Sequence, residues 1–76
     1  MAWQERIELN PAMLAGKPVI KGTRIAVELV VDLLGQGWTE EAVLKNYPTI
    51  TPEDVKACLR YASAALQDEK VYLLKA

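Results

Sequence analysis

Over residues 25–34 the apolar positions are Ile25, Val27, Leu29, Val30, Val31, Leu33 and Leu34, while the two acids, Glu28 and Asp32, stand four apart on one helical face. This pattern predicts a helix with a broad buried stripe. Its β-branched residues lower intrinsic helix propensity, so it should depend on packing. Gly35 and Gly37 are expected to end it, because glycine accepts the left-handed conformation of a helix C-terminus. Thr39 then caps a short helix over about 40–46, with Glu40 and Glu41 at the positive end of the dipole and Val43, Leu44 and Tyr47 facing inward. Trp38 and Val43 have the spacing of a hydrophobic staple, and Pro48 terminates the helix. Thr51-Pro52-Glu53-Asp54 opens a third helix: the threonine caps, the proline fits the first turn and the acids match the dipole. Asp54 stands where a capping box places its acid, one methylene shorter than usual. This helix should run to about residue 68 and bury Val55, Leu59, Ala62 and Leu66, spaced 4, 3 and 4, with Cys58 beside them.

Ahead of the helices, Trp3, Ile7 and Leu9 share one parity, with Glu5 the exception, and Gln4, Arg6 and Glu8 occupy the other. That alternation predicts a half-buried strand, stopped by Asn10-Pro11. Its partner is Val19-Ile20, the apolar run at 71–74, or the same strand of a second subunit. Residues 10–24 read as a loop punctuated by Gly16, Pro18 and Gly22, with a short turn over 12–15. No repeat or low-complexity tract interrupts this order. The fold class expected is mainly α: a three-helix, helix-turn-helix bundle with a short N-terminal strand and a candidate C-terminal strand. It forms a single domain over 1–76, divided into strand and basic loop (1–24), trihelical core (25–68) and tail (69–76).

Composition narrows the chemistry. A chain of 76 residues makes one domain, whose core alone is marginal. Its one cysteine, Cys58, allows no intrachain disulfide, and the absence of histidine removes the usual zinc sites and the Ser-His-Asp and Cys-His arrangements. Support must therefore come from helix packing and a second subunit. Nine basic against ten acidic residues give a net charge of −1, which is not the footprint of a domain that coats nucleic acid. The charge is unevenly placed: residues 17–24 hold Lys17, Lys21 and Arg24 with no acid, whereas residues 25–48 hold Glu28, Asp32, Glu40 and Glu41 against Lys45 alone. No signal-peptide pattern or membrane-length apolar run is visible, so a soluble, cytoplasmic protein without membrane partners is expected.

Four features are candidates for function. The loop from Gly16 to Arg24 does not make a phosphate loop, because Thr23, not lysine, follows Gly22 and Pro18 removes a backbone donor. It reads either as a turn whose glycines supply positive φ, or as a basic loop in which Lys17, Lys21 and Arg24 touch phosphates or a partner. On the third helix Lys56, Arg60, Ser63 and Gln67, spaced 4, 3 and 4, share a face that suits either a recognition helix or plain solvation, and Asp54 and Asp68 dilute its charge. Cys58 reads as a small core hydrophobe, and the acids as caps and solubilising groups, so catalysis, metal and cofactor are not expected. The apolar ends, Trp3, Ile7 and Leu9 with Val71, Tyr72, Leu73 and Leu74, either pair with each other or bind another chain by strand addition.

The run Gly16-Lys17-Pro18-Val19-Ile20-Lys21-Gly22-Thr23-Arg24-Ile25 resembles the hallmark of domain-of-unknown-function family 433, whose members look like VapB-type antitoxins. Leu33-Leu34 before Gly37, Thr39-Glu40-Glu41-Ala42-Val43-Leu44, Tyr47-Pro48, Thr51-Pro52-Glu53-Asp54-Val55 and Leu59-Arg60-Tyr61-Ala62 continue the likeness over about residues 7–62. Asn10-Pro11 stands where the family usually has Asp-Pro, and Ala15 precedes Gly16 where a second glycine is common. The resemblance implies a homeodomain-like trihelical fold and a place beside a toxin with a PIN-like ribonuclease domain. By analogy with antitoxins, the protein would neutralise that toxin and repress its own operon as a homodimer or higher oligomer. Lys56, Arg60, Ser63 and Gln67 would then enter the major groove of operator DNA while Lys17, Lys21 and Arg24 hold phosphates. The alternative is a protein-interaction adaptor without nucleic-acid binding; a third reading is a small enzyme whose reactive groups come from a cofactor or a partner.

Overall fold

A computed structural model describes residues 2–12 and 14–69. Two short antiparallel strands, β1 (Ile7–Leu9) and β2 (Pro18–Ile20), precede three helices, α1 (Val27–Gly35), α2 (Glu40–Asn46) and α3 (Pro52–Glu69). The fold is mainly α with a small strand pair. Strand register sets Ile7 opposite Ile20, Glu8 opposite Val19 and Leu9 opposite Pro18. Of the three candidate partners for β1, Val19-Ile20 is the one observed. The strand proposed at 71–74 lies outside the described residues.

The N-terminal strand is shorter than its alternation suggests. Trp3–Arg6 is a 3-10 turn, and only Ile7–Leu9 is extended. The cause lies on α3. Trp3 meets Tyr61 edge-to-face, with centroids 6.2 Å apart, and Arg6 Nη1 donates to Asp54 Oδ1 at 3.0 Å. In a strand, residues 3 and 6 point to opposite faces; coiling brings both onto one helix. Leu9, read as inward by parity, is 63% exposed.

Between the strands and α1 the chain makes a tight reversal. Thr23 N–H donates to the Ile20 carbonyl at 3.0 Å across a turn in which Gly22 has φ +82°. The Thr23 hydroxyl donates to the same carbonyl at 2.7 Å and accepts from Ile25 N–H at 3.0 Å. Ile20 N–H then reaches the Ile25 carbonyl at 2.9 Å, and Ala26 bridges to Val19. Ile25 and Ala26 are therefore held outside the helix expected to include them, and α1 starts at Val27. Gly35 lies within α1. Gly37, with φ +104°, makes the C-terminal reversal: its N–H reaches Leu34 and that of Trp38 reaches Leu33, both at 3.1 Å, in the pattern of a Schellman motif.

α2 follows the local signals closely. The Thr39 hydroxyl accepts from Ala42 N–H at 3.1 Å, and Val43 is fully buried with Leu44 and Tyr47 packed against the core. The start of α3 is a complete capping box. Thr51 Oγ1 accepts from Asp54 N–H at 3.2 Å, and Asp54 Oδ2 accepts from Thr51 N–H at 2.9 Å. The shorter acid suffices for the box and leaves Oδ1 for Arg6.

The core gathers Ile20, Val27, Val30, Leu33, Val43, Ile50, Val55 and Cys58. On α3 the buried side chains are Asp54, Val55, Ala57 and Cys58, followed by half-buried Tyr61 and Ala62. The expected stripe is thus rotated by roughly a quarter turn. Val55 stays buried, but Leu59 and Leu66 are 45% and 62% exposed. The N-terminal turn claims the Asp54–Tyr61 side of α3, and the leucines turn outward.

One strained stretch remains. Leu14 and Ala15, at φ 50° and 56°, precede Gly16 at φ 82°. A residue with a Cβ in the left-handed region costs about 1–2 kcal/mol. Ala15→Gly should therefore stabilise the domain by about 0.5–1 kcal/mol, less than the full strain because glycine also frees the unfolded chain. Asp54→Ala removes a cap and the anchor of Arg6 and should cost about 2–3 kcal/mol, with Arg6→Ala costing less because that side chain is partly solvated. Urea titration checks both; an Asp54→Ala midpoint equal to wild type rules out the anchoring role.

Candidate macromolecule-binding surface

Few residues of the loop run that carries the family likeness are free to act on a ligand. Val19 and Ile20 are buried, Gly16 and Gly22 supply positive φ, and Thr23 closes the reversal. Of the two readings of this loop, turn chemistry accounts for most of its residues. The three cations expected to act together border different features of the surface. Lys17 Nζ lies 3.0 Å from Glu28 Oε1 on α1. Lys21 borders a depression with Glu5, Arg6 and Asp54 at the start of α3, and Arg24 borders a different one with Glu8, Thr23 and Thr49. Each has an acid nearby, and they share no common depression.

The third helix does assemble its candidates. Lys56, Arg60, Ser63 and Gln67 are all exposed. At 100° per residue they fall within an arc of about 60°, and Leu59 and Leu66 extend the same surface to about 120°. The face therefore has an apolar flank and a cationic flank. Trp3, Lys56, Leu59 and Arg60 enclose a shallow depression of about 380 Å³ at its edge. Sequence periodicity assigned the leucines to the core and so missed this mixture. From Val55 to Gln67 the helix carries no acid, and exposed Glu53 stands one turn before Lys56.

The apolar ends divide. Trp3 and Ile7 are half-buried within their own fold, and Leu9 is exposed beside a depression of about 220 Å³ lined by Trp3, Gln4, Ile7 and Tyr61. Val71, Tyr72, Leu73 and Leu74 lie outside the described residues. A wider groove of about 560 Å³ runs between β2, α1 and α3, where Pro18, Leu29, Val31, Tyr61 and Ala62 are rimmed by Glu28 and Asp32. No sequence pattern announced it, because its walls come from three elements distant along the chain.

Cys58 is fully buried, and burial, helped by the nearby Asp54 carboxylate, pushes its thiol up to about 12. The thiolate is the nucleophilic form, so this side chain is inert in the folded protein. Among the described residues no cluster of three or more metal-type side chains occurs. Among them, too, no helix is long and apolar enough to cross a membrane.

Comparison with known proteins gives a family but no activity. The profile of the family described as "Protein of unknown function (DUF433)" matches residues 7–62. An uncharacterized protein, y4eO, of Sinorhizobium fredii (strain NBRC 101917 / NGR234) is 32% identical over 63 residues, which is 83% of this chain and 28% of the relative's length. The crystal structure of a DUF433 member from Anabaena variabilis ATCC 29413 superposes with a TM-score of 0.79 at 32% identity, covering 86% of this chain and 64% of the other. This chain spans less than two thirds of both.

The thiol supplies a pH test. The native state keeps its proton up to about 12, whereas the unfolded thiol loses it from 9.0, so the folded pKa is the higher. The unfolded state then binds fewer protons, and stability should fall as pH rises between those values, by about 1.4 kcal/mol per unit from this group. Denaturation at several alkaline pH values should show this slope in wild type and its loss in Cys58→Ala; equal slopes would mean that Cys58 does not titrate this way.

Proposed function

We infer, for a chain that belongs to DUF433, a family of proteins of unknown function, that its role is to bind another macromolecule rather than to perform chemistry. The specific form is that of a small antitoxin which grips and neutralises a PIN-like ribonuclease toxin. The observation that supports this most is the mixed face of α3, where Leu59 and Leu66 stand in solvent beside Lys56 and Arg60. Exposed leucines in such a setting suit the apolar centre of a protein contact, and flanking cations set orientation and the rate of encounter. A helix dedicated to phosphates and base edges gains little from two leucines on its outer face.

A second reading has its own support. Lys56, Arg60, Ser63 and Gln67 project together from a helix that follows a short helix and a capped turn, the order expected of a helix-turn-helix reader of operator DNA. The pairing of Lys17 with Glu28, and the separate depressions that Lys21 and Arg24 border, lend less support to a shared phosphate clamp.

Co-expression with the product of the neighbouring gene, assayed for RNA cleavage, separates the two. The protein reading expects co-elution and suppression of RNA cleavage by at least about tenfold. Separate elution and unchanged cleavage would refute it. Gel-shift assays on the upstream DNA at two salt concentrations test the second reading, which requires tighter binding than to random duplex and a steep salt dependence.

A further inference from the structure

We propose that the exposed face of α3 is a docking seam for an acidic amphipathic helix of a partner protein, whose apolar stripe packs on Leu59 and Leu66 while its carboxylates meet Lys56 and Arg60. This rests on the reading of the domain as a protein-binding module and names the chemistry of what it binds.

The geometry is that of a helix packed on one side only. Asp54, Val55, Ala57 and Cys58 are buried against the domain, whereas Lys56, Leu59, Arg60, Ser63, Leu66 and Gln67 face water. Leu59 and Leu66 are seven residues apart, so they lie two turns and about 10.5 Å from each other along the axis. A second helix offers apolar residues at the same repeat. Ser63 stands between them, and its small side chain lets another helix axis come close. The seam has the spacing of a helix contact and remains uncovered by any described element.

Charge selects the partner. Neither Lys56 nor Arg60 has an acidic partner within ion-pair distance among the described residues, whose ion pairs include Arg6–Asp54 and Lys17–Glu28. From Val55 to Gln67 α3 carries no acid, so the flank around Lys56 and Arg60 is mainly positive, with Glu53 one turn before Lys56. An acidic helix neutralises it. A second copy packed antiparallel through the same seam would not, because the two-fold rotation places both copies' Lys56 and Arg60 along one flank, with Glu53 of each copy beyond its own Lys56. Duplex DNA would satisfy the cations and leave the leucines against phosphates.

The test uses the full chain and a fluorescent helical peptide of about 18 residues with leucines at i, i+4 and i+7 and glutamates on both flanks. Two control peptides replace the glutamates by lysines or scramble the order. Anisotropy should show saturable binding of the acidic peptide alone, weakened about tenfold or more by Leu66→Asp and unaffected by Leu9→Asp. The double variant Lys56→Glu, Arg60→Glu should reverse the preference towards the lysine peptide. All four positions are exposed, so circular dichroism should confirm that each variant folds. Equal binding of the control peptides, or none of the acidic one, overturns the proposal. So does a dimer in sedimentation that Leu66→Asp disperses, or DNA binding that Leu66→Asp leaves intact and the double charge variant abolishes. A nuclease partner that still co-elutes with Leu66→Asp removes the seam but not the antitoxin reading. Acidic-peptide binding without any nuclease complex removes the antitoxin reading and keeps the seam.

Discussion

Asp54 ties the N-terminal turn to the first turn of the longest described helix. One carboxylate oxygen closes the capping box with Thr51, and the other holds Arg6, 48 residues away. A carboxylate this buried is tolerable only with full hydrogen bonding, and here the cap N–H and the guanidinium supply it. The same contact presses the N-terminal turn onto α3, with Trp3 against Tyr61 completing the attachment. Much else follows from that geometry. The first residues coil instead of extending, the core side of α3 is fixed, and the remaining side is left facing water. Asp54 also adds to the apolar surroundings in keeping the Cys58 thiol protonated.

The loop run that marks the family has a structural explanation that does not require a ligand. Positive φ at Gly16 and Gly22, burial of Val19 and Ile20, and the two-way hydrogen bonding of Thr23 account for most of its residues. They turn the chain from β2 into α1 while keeping Ala26 bridged to Val19. A short sequence run can therefore be distinctive because a tight reversal admits few alternatives. Ala15 shows the other side of this constraint: it occupies a left-handed position that glycine would fill without strain.

Function in so small a domain has to be presented on what folding leaves over. Packing uses one side of α3, and the side turned outward combines a leucine flank with a cationic flank. The basic loop contributes less than its composition suggests, since Lys17 is engaged by Glu28 and the other cations border separate depressions. The solved Anabaena structure shows that the architecture recurs at 32% identity.

Local chemistry made much of this legible from the residues alone. Thr39 and Thr51 cap where expected, Gly37 reverses the chain after α1, Pro52 opens α3, and α2 spans Glu40–Asn46. Each signal depends on bonds within a few residues, so the sequence contains all the partners. The rotation of α3 was not available in that way. Leu59 and Leu66 fit a stripe with Val55 and Ala62, and only the placement of Trp3 and Arg6 against Tyr61 and Asp54 decides that the helix faces elsewhere. The neighbours of Lys17, Lys21 and Arg24 are likewise a matter of which elements lie beside each side chain. Short-range hydrogen bonding fixes where elements begin and end, whereas the direction an element faces is set by long-range packing, and the candidate site lies on the face that packing left open.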